Sequence, residues 1–296
     1  VLISDGFMQW TYAALAVRAL KRIPHVMCYE RTAHTERNAG RLRIWYRKIV
    51  SRWIDAIDCN GILCGEYVRS LGFDSKRLTF GHMVADISGM SRTIQNIANE
   101  DIVKVKKELK IPPKGLMILF VGQLIPIKGV DQLLTAWKQF KSHCKENCTL
   151  VYVGYGRLEQ PLRDRIVNEK IQDVILIGGI DYDSIAQYYK AADCFILPTV
   201  EDNWSLVVPE AMACGLPVAT TIYNGCHPEL LTKENGWVFD TYNEQSIIDT
   251  LQNIVNNKER LKEMGEVSKR IVSKHTAERA AQSIMAAIDI AQKHCK

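Results

Sequence analysis

The sequence predicts an α/β protein built on two parallel sheets, and three features carry that prediction. Short apolar runs alternate with amphipathic helical stretches along the whole chain, the rhythm of strand–helix–strand units. One run, Cys194 to Leu197, meets Pro198, an acidic loop and then a short helical stretch, Leu206 to Cys214, closed by Gly215 and Pro217. A loop leaving the carboxyl end of a parallel strand for a helix N-terminus is where open α/β sheets bind phosphorylated ligands. At 296 residues the chain is long enough for two such domains.

In order, residues 1–6 read as a strand and 9–21 as a helix with Tyr12, Leu15, Ala16 and Ala19 on its apolar side. Strands follow at 25–29 and 56–64, a short helix at 66–71 ended by Gly72, and a strand at 77–81. Residues 91–114 are polar and close on Ile111-Pro112-Pro113, so they are the best linker candidate. The second domain alternates strands at 116–121, 149–153, 173–177, 194–197, 218–221 and 237–239 with helices at 130–141, 158–169, 185–192, 244–256 and 258–273. An Ala-rich helix, 277–293, ends the chain. The expected division is 1–110, 111–274 and a terminal helical segment, 275–296.

Hydrophobic residues at 47% and charged residues at 24% describe a globular chain, not a disordered or fibrous one. No apolar run reaches the roughly 18 residues of a membrane span. Val1-Leu2-Ile3-Ser4-Asp5 lacks a basic n-region, so it is no signal peptide, and the sequence is expected to start inside a domain. The nine cysteines are scattered without a Cys-x-x-Cys pair; Cys144 and Cys148 lie a turn apart with no second pair. A reduced, cytoplasmic location is expected and a zinc site is not.

The net charge of +5 is uneven. Between Arg31 and Trp53, seven Arg and Lys residues face Glu36 alone, and Leu42, Trp45, Tyr46, Ile49 and Trp53 recur at helical spacing. The ordinary expectation puts that apolar stripe in the core and the arginines in water. The alternative is that Arg41–Trp53 makes peripheral contact with an anionic membrane carrying a lipid-linked acceptor. No nucleic-acid-binding motif accompanies the charge.

The stretch Thr199 to Pro217 places Asp202 and Glu210 with seven residues between them, before Ala-Met-Ala-Cys-Gly-Leu-Pro. It resembles the signature of the retaining GT-B glycosyltransferases of family 4. The resemblance implies two Rossmann-like domains facing each other across a cleft, with a terminal helix returning to the first. It also implies transfer of a sugar from a UDP-, GDP- or ADP-sugar to a saccharide or lipid-linked hydroxyl, without a cofactor or metal. Glu210 then holds the ribose hydroxyls, and Glu201 or Asp202 the transferred sugar. The amides near Ser205, Leu206 and Val207 face the diphosphate. Asp202 stands where Glu is usual and Ser205 where Gly is frequent. The first domain is several dozen residues shorter than the resemblance calls for, so the sequence is inferred to be truncated there.

Gly122 and Gln123 follow a strand, and Lys128 sits just before a helix, the setting two linked phosphates want. Alone, this is equally a turn with a solvated lysine. In the family an Arg stands at Gln123, and that Arg and the Lys contact the diphosphate. Gly154 and Gly156 resemble the family's Gly-x-Gly turn beside the base, and Asn224-Gly225-Cys226 its Gly-Gly turn, with Cys226 in place of glycine. His34, on a polar loop, is either an acceptor-positioning group or a plain loop histidine; His82 is similar. Two rival readings share the fold, a nucleotide-sugar epimerase and a non-catalytic nucleotide-sugar-binding paralogue. A dehydrogenase is disfavoured, because no strand ends in Gly-x-Gly-x-x-Gly.

Overall fold

The computed structural model describes residues 1–294. In chain order the elements are β1 (Leu2–Asp5), α1 (Gln9–Lys21), β2 (His25–Tyr29), α2 (Arg41–Ser51), β3 (Ala56–Cys59), α3 (Ile62–Ser70), β4 (Leu78–Phe80), α4 (Ile87–Asn96) and α5 (Asn99–Glu108). They continue with β5 (Leu116–Val121), α6 (Val130–His143), β6 (Cys148–Val153), α7 (Glu159–Asn168), β7 (Val174–Gly178), α8 (Tyr182–Ala191) and β8 (Cys194–Leu197). Last come α9 (Val207–Ala213), β9 (Val218–Thr221), α10 (His227–Leu230), β10 (Gly236–Phe239), α11 (Glu244–Asn256), α12 (Leu261–Val272) and α13 (Ala277–His294). Among the described residues no helix is long and apolar enough to cross a membrane.

Two compact units emerge. The first comprises Val1–Val84, Asp202–Trp204 and the chain from His275 on; the second comprises Ala85–Glu201 and Ser205–Lys274. In the first, four parallel strands lie in the order β1-β2-β3-β4. Met27 and Ile57 pack beneath Val50, Ile54, Val68 and Leu71. Ala287 and Ala291 of α13 pack on Val26 and Ala56, and Ser283 donates to the buried Asp58 carboxylate at 2.8 Å.

Three local expectations change in this unit. The strand expected over 56–64 stops at Cys59, because Asn60-Gly61 breaks it, and α3 begins at Ile62 rather than Glu66. On α1 the inward stripe is Thr11, Ala14, Leu15 and Arg18, while Tyr12, Ala16 and Ala19 face out. Arg18 sets that rotation by reaching the buried Asp55 carboxylate with Nε at 2.7 Å. The same logic turns α2. Arg47 is 3% exposed. Its guanidinium meets Glu36 at 2.6 Å and the Tyr67 hydroxyl at 2.9 Å. A buried carboxylate without a partner costs several kcal/mol, and Arg47 supplies that partner from the inward face of α2. The helix therefore presents Ile44, Arg47, Val50 and Ser51 inward. Leu42, Trp45, Tyr46 and Trp53 are left 83%, 61%, 41% and 55% exposed, against the expectation of a core stripe, while Arg41, Arg43 and Arg52 are exposed as expected.

The second unit is a six-stranded parallel sheet in the order β10-β9-β8-β5-β6-β7. The direction of winding reverses between β5 and β8, which makes their carboxyl ends the topological switch point. Leu133, Leu134 and Trp137 of α6 are fully buried against it. The stretch expected as a linker, 91–114, is mostly helix, and the division falls after Val84 rather than at 110. Lys190 of α8 caps the end of α4 through the Ile94 and Ile97 carbonyls at 2.8 and 2.7 Å. Lys106 of α5 bonds Asp193 at 3.1 Å. The polarity that suggested a linker is spent on these contacts.

Candidate functional site

The carboxyl ends of β5, β6 and β7 meet backbone to backbone. Gly122 N–H donates to the Val153 carbonyl at 3.0 Å, and Gly154 N–H to Gly178 at 2.8 Å. A Cβ on Gly154 would stand 1.9 Å from the Gly122 oxygen, and one on Gly156 2.5 Å from that of Leu124. Gly122 and Gly154 also take φ of 152° and 144°, which a side chain disfavours. These glycines let the loops close around a cavity of about 210 Å³ lined by Gly122, Gln123, Gly154, Tyr155, Gly179, Ile180 and Ile185. That is smaller than the roughly 300 Å³ of a whole small-molecule site, and its lining is mostly apolar.

Lys128 ends a short turn, Pro126–Lys128, that precedes α6. Gly129 follows in the left-handed region at φ 68°, where a Cβ would meet the Pro198 oxygen at 1.9 Å. The turn is tied to the exit of β8: Val200 N–H and the Thr199 hydroxyl both donate to the Ile127 carbonyl, at 2.9 and 3.0 Å. The Lys128 turn and the loop that runs toward Glu210 are thus hydrogen-bonded neighbours at the switch point.

Glu210, on α9, is 9% exposed. Tyr189 donates to its Oε2 at 3.2 Å and Tyr182 to its Oε1 at 3.4 Å. Burial pushes its pKa up, and the two phenols work against that rise. Both tyrosines lie on α8, seven residues apart and so on one face. The sequence reading did not single them out; their two-turn spacing was the available signal. Ser205 is 4% exposed, and its hydroxyl has no hydrogen-bond partner within the protein. Leu206 and Val207 open α9.

Of the remaining expected residues, Asp202 and His34 lie in the first unit. Asp202 accepts from the Trp204 N–H at 3.2 Å, and Asn60 fastens the neighbouring Asn203 carbonyl at 3.0 Å. Glu201 instead groups with the second unit, its carbonyl accepting from Thr199 Oγ1 at 3.0 Å. Burial raises the Glu30 pKa, with Asp5 and Asp202 adding to the rise. His34 is half-buried, and its carbonyl accepts from Arg37 at 2.7 Å. Cys226 is fully buried, Sγ donating to Asn224 Oδ1 at 3.2 Å. Among the described residues no group of three or more His, Cys, Asp or Glu is arranged to hold a metal ion.

Comparison with known proteins shows a family and a fold. The model of the family described as glycosyl transferases group 1 matches residues 101–271. An uncharacterized glycosyltransferase of Haemophilus influenzae is 32% identical over 181 residues, 60% of this chain and 50% of its own. The GDP-mannose-dependent monoacylated alpha-(1-6)-phosphatidylinositol monomannoside mannosyltransferase of Corynebacterium glutamicum is 28% identical over 173 residues, 56% of this chain and 45% of its own. The chain spans about half the length of the curated relatives it matches. Among solved structures, Anabaena HepE in complex with UDP aligns with a TM-score of 0.81 over 97% of this chain and 78% of its own, at 16% identity. With a family match over more than half its length and two Rossmann-like units of the GT-B fold, the chain belongs to the glycosyl transferases group 1.

Proposed function

We propose that the protein is a retaining glycosyltransferase of family 4 type, which moves a sugar from a nucleoside diphosphate to a hydroxyl of a saccharide or lipid-linked acceptor. One observation carries the reading. The Lys128 turn is bonded to the β8 exit that leads to the buried, tyrosine-held Glu210, and a glycine-walled slot lies at the carboxyl ends of β5, β6 and β7 in the same sheet. The slot takes the base, with Gly122 and Gly154 in its wall and Gly156 packing the adjoining loop against Leu124. Glu210 accepts from the ribose hydroxyls. Lys128, Gln123 and the amides at Ser205, Leu206 and Val207 face the two phosphates.

Sugar transfer passes through an oxocarbenium-like state while negative charge builds on the departing diphosphate. Preorganised donors on that charge each contribute on the order of 3 kcal/mol. Lys128 and the amides supply them in this reading, and no metal ion is required. Gln123 donates a hydrogen bond without charge, which shifts more of the task to Lys128. Glu201 or Asp202 holds the transferred sugar, and His34 positions the acceptor hydroxyl. HepE has been solved with UDP and with UDP-glucose, and the Corynebacterium relative is named for GDP-mannose. Donors with either base are therefore the first to try, with ADP-sugars beside them. A cytoplasmic setting fits the scattered cysteines.

The test is a thermal-shift screen of UDP-, GDP- and ADP-sugars. A donor at a hundred times its Kd adds about 2.7 kcal/mol, a Tm rise of several degrees in a domain of this size. The expected result is one responsive base, followed by sugar transfer once an acceptor is added. Stabilisation with the donor sugar inverted in the absence of acceptor identifies an epimerase. Binding without any turnover identifies a non-catalytic paralogue, and no response to any nucleotide contradicts the site.

A further inference from the structure

We infer, resting on the donor site proposed above, that Thr221 and Thr241 are positioning residues that aim Lys128 at the two phosphates. The register of β8 against β9 ends at Leu197 and Thr220, so the Pro198 and Thr199 carbonyls have left the ladder. Buried carbonyls in that position need donors from elsewhere. Thr221 donates to the Thr199 carbonyl at 2.8 Å, and Thr241 to that of Pro198 at 3.0 Å with a longer contact to Thr199 at 3.4 Å. Tyr223 N–H donates to Thr221 Oγ1 at 3.1 Å, which leaves that hydroxyl's own proton for Thr199. Thr199, Thr221 and Thr241 are all buried, where such bonds gain from the low dielectric.

The chain at 198–200 in turn holds the Lys128 turn on both sides. Ahead of the lysine, the Ile127 carbonyl accepts from Val200 N–H and from the Thr199 hydroxyl. Behind it, Gly129 packs directly on the Pro198 oxygen, and Thr241 Cγ2 lies against the same glycine. Hydroxyls at the exits of β9 and β10 thus fix the carbonyls after β8, and these fix the backbone that carries Lys128. A lysine is a point charge on a flexible stem, so its aim follows the backbone beneath it. A misplacement of about 1 Å can cost roughly a hundredfold. Thr220 supplies an internal comparison. It is equally buried and donates to the Leu197 carbonyl at 3.1 Å, a bond of the same kind made to the strand and not to its exit.

The test is calorimetric titration of UDP, GDP and ADP, and of the three nucleosides, into the full chain and its variants. The ratio of diphosphate to nucleoside affinity reads the grip on the phosphates alone. Thr221→Val with Thr241→Val keeps both shapes and removes both hydroxyls. It is expected to lower the ratio by about tenfold with the nucleoside unchanged. Thr221→Ser with Thr241→Ser keeps the hydroxyls and is expected to stay within about twofold of the parent. Thr220→Val is expected to lower the Tm comparably and leave the ratio alone. An unchanged ratio in the valine pair overturns the inference. A serine pair as weak as the valine pair overturns it too, and so does an equal loss in Thr220→Val. Should the valine pair not fold, Thr241→Val alone is expected to lower the ratio about threefold, and no change there overturns the inference equally. Lys128→Ala separates the two levels. Where it lowers the ratio and the valine pair does not, only the threonine role fails. Where neither lowers it, or no diphosphate binds, the donor site fails and the threonine role falls with it.

Discussion

At Glu210, burial and two phenols act in opposite directions on one carboxyl group. An ionised carboxylate offers the acceptors that ribose hydroxyls need, so donor affinity should fall as pH drops through the Glu210 pKa. Tyr189→Phe removes one stabilising donor from the carboxylate, and the pKa rises further above the ordinary carboxylate range. The expected outcome is a donor affinity lower by on the order of fivefold, about 1 kcal/mol. Its decline on the acid side also begins at higher pH. Calorimetric titrations between pH 5 and pH 8 read both effects, and superimposable profiles count against the carboxylate's role. Glu210 stood out in the sequence through its motif, and the structure buries it against two phenols. Tyr182 and Tyr189 did not, because a spacing of seven aromatic-to-aromatic reads equally as a core stripe.

Among the elements, the loops after β5 and β6 depend on the missing Cβ of Gly154. Gly154→Ala forces a methyl against the Gly122 oxygen at a φ that alanine avoids, a combination of strain and overpacking worth about 3 kcal/mol. The Tm should fall by several degrees, whereas Gly40→Ala, which meets nothing within 4 Å, should leave it almost unchanged. Equal Tm values for the two variants would show that the loops are not closely packed. From β5 onward the strands and most helices of the second unit were readable at nearly their final bounds, since buried parallel strands are short unbroken apolar runs, whereas α4, α5 and α10 were not. The faces of α1 and α2 were misread for one physical reason. Periodicity ranks side chains by hydrophobicity, but Arg18 and Arg47 answer to the buried carboxylates of Asp55 and Glu36, partners outside the helices that periodicity does not weigh.

For the molecule as a whole, alternation predicted two parallel sheets, and two are present. The division between units was less legible. The charged stretch 91–114 looked like a linker because its partners, Lys190 and Asp193, are about ninety residues downstream. What unites the account is the claim that Lys128 and Glu210 grip a single nucleoside diphosphate at the switch point of the second unit. Calorimetric titration of the matching nucleoside, and of its diphosphate, into the protein and two variants tests this most directly. Lys128→Ala should weaken the diphosphate at least tenfold and leave the nucleoside unchanged, while Glu210→Gln should weaken both. A Lys128→Ala protein that binds the diphosphate as tightly as the parent would contradict the claim.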